Sequence, residues 1–161
     1  MLLLLLDFSD KDKLLILSSK FSVFIYVFIA LIVGGLASSN AADDTWYQEL
    51  NKSSFNPPGF IFGIVWPILY FLMSISAFRT FNKTKNLFLL QLIFNALWSW
   101  LFFAFQMPLI ALLNIWLLIY LNIKLNIQMY KEDTLSGYLY FPYIAWLIFA
   151  SYLNLYIVFN N

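Results

Sequence analysis

This sequence predicts an all-α polytopic membrane protein, a bundle of five transmembrane helices. Three observations carry that reading. The 161 residues are 63% hydrophobic and only 11% charged, where a soluble domain carries roughly a quarter charged residues. Five apolar segments each reach the roughly 20 residues that a helix needs to cross a bilayer. The basic residues gather on one side of the alternation that those segments impose.

The first segment covers about 21–39, between Lys20 and the Asp43-Asp44 pair. The second covers about 60–78 and is closed by Arg79, Lys83 and Lys85. The third and fourth, about 87–105 and 109–129, are separated only by Gln106, Met107 and Pro108, which predicts a tight antiparallel hairpin. The fifth covers about 138–159. One long connection remains, from Asn40 to Gly59. It is too aromatic for a plain linker, and its 45–50 part reads as a short helical turn against the bundle mouth. The leading leucine run at 2–6 is too short to span. With Asp7 to Lys13 behind it, residues 1–20 read as an interfacial segment ahead of a membrane domain at 21–161. Lys11 to Lys20, an apolar run and Ala37 to Ala41 also resemble a signal peptide. That run is about 19 residues, longer than an h-region of roughly 7 to 15, so a retained span is expected.

With five spans, the N-terminus and the second–third and fourth–fifth loops share one side. That side holds Lys11, Lys13, Lys20, Arg79, Lys83, Lys85 and Lys131, with Lys124 close to it; the other holds only Lys52. In a bacterial inner membrane this bias puts the N-terminus inside and the aromatic loop outside.

Composition closes off much chemistry. Cysteine and histidine are both absent, which removes disulfides, the usual zinc ligands, most haem axial ligands and the commonest general base. No metal site and no resident cofactor is expected. A net charge of +1 offers no basic surface for nucleic acid. No acidic residue lies in any span, which argues against ion- or proton-coupled transport through a small channel. Aromatics reach 21%, the composition of interface belts or of a ligand pocket lined with rings.

Three spans carry a polar and aromatic stripe at helical spacing. Gly59, Gly63, Trp66 and Tyr70 share one face of the second span. Gln91, Asn95, Trp98 and Phe102 share a face of the third, and Trp146, Ala150 and Asn154 one of the fifth, with Pro142-Tyr143 a turn above. Facing one another, they would line a cavity that stacks a flat apolar ligand and hydrogen-bonds its polar edge. The same amides also serve as interhelical links, and small residues let helices approach closely. Trp46, Trp100 and Trp116 read first as interface anchors. Lys124 does not make a retinal site, because it lies near the basic end of its span with room to snorkel.

The order of these motifs resembles the TspO/MBR family, the tryptophan-rich sensory proteins and mitochondrial translocator (peripheral benzodiazepine receptor) proteins. The resemblance covers about 22–160 and rests on Trp46-Tyr47 with Leu50 and Lys52, then Phe55-Asn56-Pro57-Pro58-Gly59. It continues in Phe62-Gly63-Ile64-Val65-Trp66-Pro67 through Tyr70; in Gln91, Asn95, Trp98-Ser99 and Phe102-Phe103; and in Pro142-Tyr143, Trp146, Phe149-Ala150 and Leu153-Asn154. It implies a five-helix bundle, often a homodimer, with a cavity closed by the first–second loop. The implied ligands are tetrapyrroles (protoporphyrin IX, haem and relatives) and, in animals, cholesterol and benzodiazepine-type compounds. The implied ligand-binding positions are Tyr47, Pro57, Trp66, Tyr70, Gln91, Asn95, Trp98, Trp146 and Ala150. Light- and oxygen-dependent porphyrin breakdown, credited to some members, would here involve Trp66 and Trp146. Two departures matter. Ser53 stands where many members have proline, which predicts a looser loop. No Lys or Arg follows Tyr156, so the cholesterol motif proposed for the last helix lacks its cation.

The expected function is a non-enzymatic receptor or carrier for tetrapyrroles, acting in their trafficking or in stress regulation. The alternatives are a porphyrin-degrading enzyme and a sterol- or lipid-binding transporter. Without histidine or cysteine, haem iron would find only Tyr or Met as protein ligands, so stacking must supply most of the affinity. Lys52 at the mouth is the counter-charge for propionates, since a carboxylate deep in the bundle would stay unpaired. The expected setting is a multi-pass position in a bacterial cell membrane or an organellar membrane.

Overall fold

Helix formation follows the apolar runs, and the polar and proline residues between them set where each helix begins. A computed structural model describes residues 2–39 and 43–161. Helix α1 covers Leu2–Ser38, so helical backbone carries through the boundary expected near Lys20; its apolar part is Ser19–Ser38. The interfacial reading of 1–20 rests largely on side chains before residue 17, which lie outside the described ones, as does Ala41 of the signal-peptide reading. Helix α2, Thr45–Glu49, is the short turn expected in the long loop. Asp44 caps it, its carboxylate accepting from Trp46 N at 2.9 Å and Tyr47 N at 3.4 Å.

Helix α3 covers Gly59–Ser99 and passes into a π-helical turn, Trp100–Ala104. Pro58 precedes it, as proline's fixed φ and missing N–H allow at a helix start. Drawn straight, the 46 residues of Gly59–Ala104 would reach about 69 Å, more than twice the hydrocarbon core. The helix doubles back instead. Tyr70 hydrogen-bonds Asn95, and Gln91 Nε2 meets Met73 Sδ at 3.9 Å. A straight helix would hold Tyr70 and Asn95 about 37 Å apart. The reversal falls in the polar stretch 79–85, where the sequence predicts a break between two helices. The backbone stays helical there, and Thr80 Oγ1 donates to Ser76 O at 2.8 Å and Thr84 Oγ1 to Thr80 O at 3.0 Å. Such back-bonding shares the carbonyls of the helical ladder and favours a bend. Among the described residues, four long apolar helices therefore make five crossings.

Helix α4, Pro108–Glu132, and helix α5, Thr134–Asn160, follow. The α3–α4 connection is as tight as its three residues predict. Phe105 N donates to Trp100 O at 2.8 Å and Met107 N to Leu101 O at 2.9 Å. Gln106 turns the corner at φ 54°, a left-handed conformation that costs a non-glycine residue about 1–2 kcal/mol. Gln106→Gly is therefore expected to raise the thermal midpoint in detergent, by a stabilisation of about 1 kcal/mol.

The α4–α5 connection is a single residue, Asp133. Its carboxylate caps α5 by accepting from Ser136 N at 3.1 Å, and it receives Arg79 Nε at 2.6 Å and Nη2 at 3.1 Å. Gly137 makes the turn possible: a Cβ there would stand 2.9 Å from Tyr130 Cα. Gly137→Ala is expected to destabilise the bundle by about 1–3 kcal/mol, seen as a lower midpoint of thermal unfolding. The Arg79 guanidinium and the Ser136 cap hold the Asp133 carboxyl well below the usual carboxylate range. A depressed carboxyl contributes stability that is present above its unfolded value of about 3.9 and is lost only as pH falls below it. Asp133→Asn is expected to lower stability at neutral pH and to flatten its loss in acid.

These contacts fix the sidedness. Arg79 with Asp133, and Phe21 and Phe24 against Phe78, bring the second–third turn, the fourth–fifth turn and the start of the apolar part of α1 to one end. At the other end Asn51 N donates to Asn161 Oδ1 at 2.8 Å. Ser53, expected to loosen the loop, does the reverse. It is buried, its Oγ lies 2.9 Å from Tyr152 Oη, and it accepts from Phe55 N. A hydroxyl pins the loop to α5 where a proline ring would supply stiffness.

Candidate functional site

Packing and cavity divide the bundle along its length. Toward the Arg79 end the interior is filled by Met73, Phe88, Leu118, Leu125, Met129 and Tyr140, all essentially inaccessible. Toward the α2 end the helices surround a partly open cavity of about 460 Å³, within the range of small-molecule sites. Its walls come from α1, both limbs of α3, the π-helical turn and α5, and its roof from Tyr47 and Asn56.

The floor is a chain of hydrogen bonds joining three crossings. Tyr70 Oη donates to Asn95 Oδ1, Asn95 Nδ2 donates to Tyr143 Oη at 2.6 Å, and Tyr143 Oη donates to Gln91 Oε1 at 3.1 Å. Higher up, Trp98 Nε1 donates to Asn154 Oδ1 at 3.2 Å, and Asn154 Nδ2 donates to Pro108 O at 2.9 Å. Asn95 and Asn154 therefore link helices and also line the cavity. Because their polar atoms are engaged with protein, the surface left for a ligand is chiefly aromatic and apolar.

Trp66 leans on Tyr70 and Tyr143, with ring centroids 5.8 and 6.5 Å apart. Across the space Trp98 stacks on Phe102 at 5.4 Å and 20°. Pro67 has no N–H to give the Gly63 carbonyl, and both residues line the cavity. The glycines leave room: a Cβ at Gly35, Gly59 or Gly63 would meet nothing within 4 Å, whereas one at Gly34 would stand 3.4 Å from Ser99 Oγ. All four line the cavity, and Gly34 also lets Ser99 approach closely.

Of the positions that the resemblance implies, Tyr47, Trp66, Tyr70, Asn95, Trp98 and Ala150 line the cavity. Pro57, Gln91 and Trp146 do not. Pro57 shapes the roof, its carbonyl accepting from Asn56 Nδ2 at 3.2 Å. Gln91 lies one turn below, bonded to Tyr143. Trp146 stands behind Phe62, edge-on at 5.9 Å, and its buried indole N–H has no partner among the described residues. Trp100 and Trp116, expected as interface anchors, spend their indole N–H groups inside the protein, on Val33 O at 3.1 Å and Ser151 Oγ at 2.9 Å.

Several lining residues carry no stripe signal. Phe62 belongs to a motif but falls between stripe positions. The α1 wall (Leu31, Gly35, Ser38) belongs to a span in which no stripe was read. Asn56 is a loop residue that periodicity cannot reach.

The roof is held from several sides. The Tyr47 ring meets Phe102 at 6.3 Å and Phe103 at 5.4 Å, both edge-on. Burial raises its phenol, opposed by a hydrogen bond with Asn56. Lys52 Nζ lies 4.4 Å from the centre of the same ring, and burial pushes that ammonium down.

This fold and this site define a multi-pass membrane protein with an aromatic cavity roofed by a capped loop. The chain belongs to the TspO/MBR family, which it matches over residues 22–159. The tryptophan-rich protein TspO of Archaeoglobus fulgidus is 37% identical over 117 residues, 68% of this chain and 76% of that protein. The tryptophan-rich sensory protein of Cereibacter sphaeroides is 35% identical over 119 residues, 69% and 73% of the two chains. The human translocator protein is 29% identical over 119 residues, 68% and 70%. The bilayer surrounds such a protein, and its outward faces suit that: Phe28, Ile64, Phe71, Ile93 and Phe141 are all more than half exposed.

Proposed function

We propose that this protein is a receptor or carrier that binds tetrapyrroles such as protoporphyrin IX, and similar flat apolar molecules, in the roofed cavity. One observation carries the proposal. Trp66 and the stacked Trp98–Phe102 pair flank a single space of about 460 Å³ whose polar floor is already satisfied internally. Such a space rewards a broad π-surface more than a hydrogen-bonding one. Lys52, at the roof, is the counter-charge for ligand carboxylates. In a bacterial inner membrane the charge bias puts the N-terminus inside, and a homodimer is what the family resemblance implies.

Porphyrin breakdown by light and oxygen is the second reading. The cavity supports it only in part, because Trp66 faces the space and Trp146 does not. Sterol transport is less favoured by a cavity flanked with stacked rings and by a last helix without a cation.

The test is quenching of tryptophan fluorescence by protoporphyrin IX in the dark, on purified protein in detergent. Saturable quenching at micromolar ligand, weakened in Trp66→Phe, is the expected result. Non-saturable quenching of folded protein would sink the porphyrin assignment.

A further inference from the structure

Lys52 is the lone basic residue between Lys20 and Arg79, and it does not form an ion pair with any carboxylate among the described residues. Its ammonium donates to Gln48 O at 3.3 Å and otherwise rests on the Tyr47 ring. Tyr47 is a roof residue of the cavity. One face of the ring therefore carries a cation with unspent charge, while its edges touch Phe102 and Phe103 of the cavity wall. An anion that bound Lys52 would offset the charge on which the ring contact depends and so weaken the ammonium's hold on the ring.

We propose that Lys52 and Tyr47 form a carboxylate-read latch: the acid group of an amphipathic ligand draws the ammonium off the ring, and the loosened ring admits the ligand's flat apolar body. The proposal rests on the cavity being the binding site and adds how that site selects among ligands. A flat molecule bearing a carboxylate loosens the Tyr47 ring, whereas the same ring system without the acid meets the ring still held by the ammonium. Lys52 thereby acts as a specificity-determining residue in two opposite senses, as an attraction for acids and as a bar to neutral molecules.

Opposite signs make the test sharp. Association of protoporphyrin IX and of its dimethyl ester would be followed by stopped-flow tryptophan quenching in detergent micelles, for wild type, Lys52→Met and Lys52→Arg. In Lys52→Met the ester is expected to associate about two- to fivefold faster, the worth of one exposed cation–π contact. The diacid should bind about threefold more weakly and lose most of the salt dependence of its association rate. Lys52→Arg keeps both the charge and the ring contact, so it should follow wild type and shows that the substitution site tolerates change. If the two ligands shift in the same direction in Lys52→Met, or neither shifts, the latch is overturned while the cavity stands. If neither ligand quenches the wild type saturably, the cavity reading and the latch fall together.

Discussion

Replacing Trp66 with alanine is expected to weaken protoporphyrin IX binding by roughly 2 kcal/mol, about thirtyfold in Kd. Trp146→Phe should leave the affinity within about twofold, the range of a residue outside a binding hot spot. The contrast follows from position. Trp66 presents its ring to the cavity, braced from behind by Tyr70 and Tyr143. Removing it takes away one stacking surface and enlarges the space, so a bound ring loses contact without gaining another. Trp146 sits behind Phe62 and beside Phe149, where a phenylalanine fills most of the same volume. The substitution even removes an indole N–H that is buried without a partner among the described residues, so the protein should lose little stability. Titration of both variants in the dark separates binding from photochemistry. Equal losses for the two would mean that the ligand lies against the α3–α5 seam and not in the cavity.

The same contrast shows what periodicity can and cannot convey. Helical spacing gives the direction in which a side chain leaves its helix, and on that count Gly59, Gly63, Trp66 and Tyr70 were legible as one cavity wall. Spacing carries no depth. Gln91 belongs to the same stripe as Asn95, yet one turn deeper it closes the hydrogen-bond chain under the floor. Nor does it show what stands in front. Trp146 has the composition of a pocket residue and is screened by Phe62. The crossings themselves were legible from apolar length, but the reversal inside α3 was not a break. The backbone stays helical through the stretch closed by Arg79, Lys83 and Lys85, where Thr80 and Thr84 bond back to the preceding turn and favour a bend. Ser53 likewise needed its partner Tyr152, which is 99 residues away in sequence.

Asn95→Leu is expected to cost the bundle about 1–3 kcal/mol, the largest effect on folding among the cavity residues. Asn95 is the one side chain that bonds both Tyr70, on the opposite limb of α3, and Tyr143 on α5. Leucine fills similar volume, so the loss isolates hydrogen bonding from packing. Two bonds vanish, and the Tyr70 hydroxyl loses its acceptor in an apolar interior, while Tyr143 keeps its bond to Gln91. Interhelical hydrogen bonds in membranes average only about 0.6 kcal/mol, and at most about 1.7, because the unfolded reference state also finds partners. That sets the range for two bonds. Tyr70→Phe removes one bond and should cost less than half as much. In the double variant Tyr70→Phe/Asn95→Leu, the phenylalanine removes the hydroxyl that leucine strands and the shared bond is lost only once, so the combined loss should fall below the sum of the single losses. Unfolding in mixed micelles, followed by helical circular dichroism, measures all three. Strict additivity would mean that the two side chains do not share a bond in the membrane, and that packing alone holds the two limbs of α3 together.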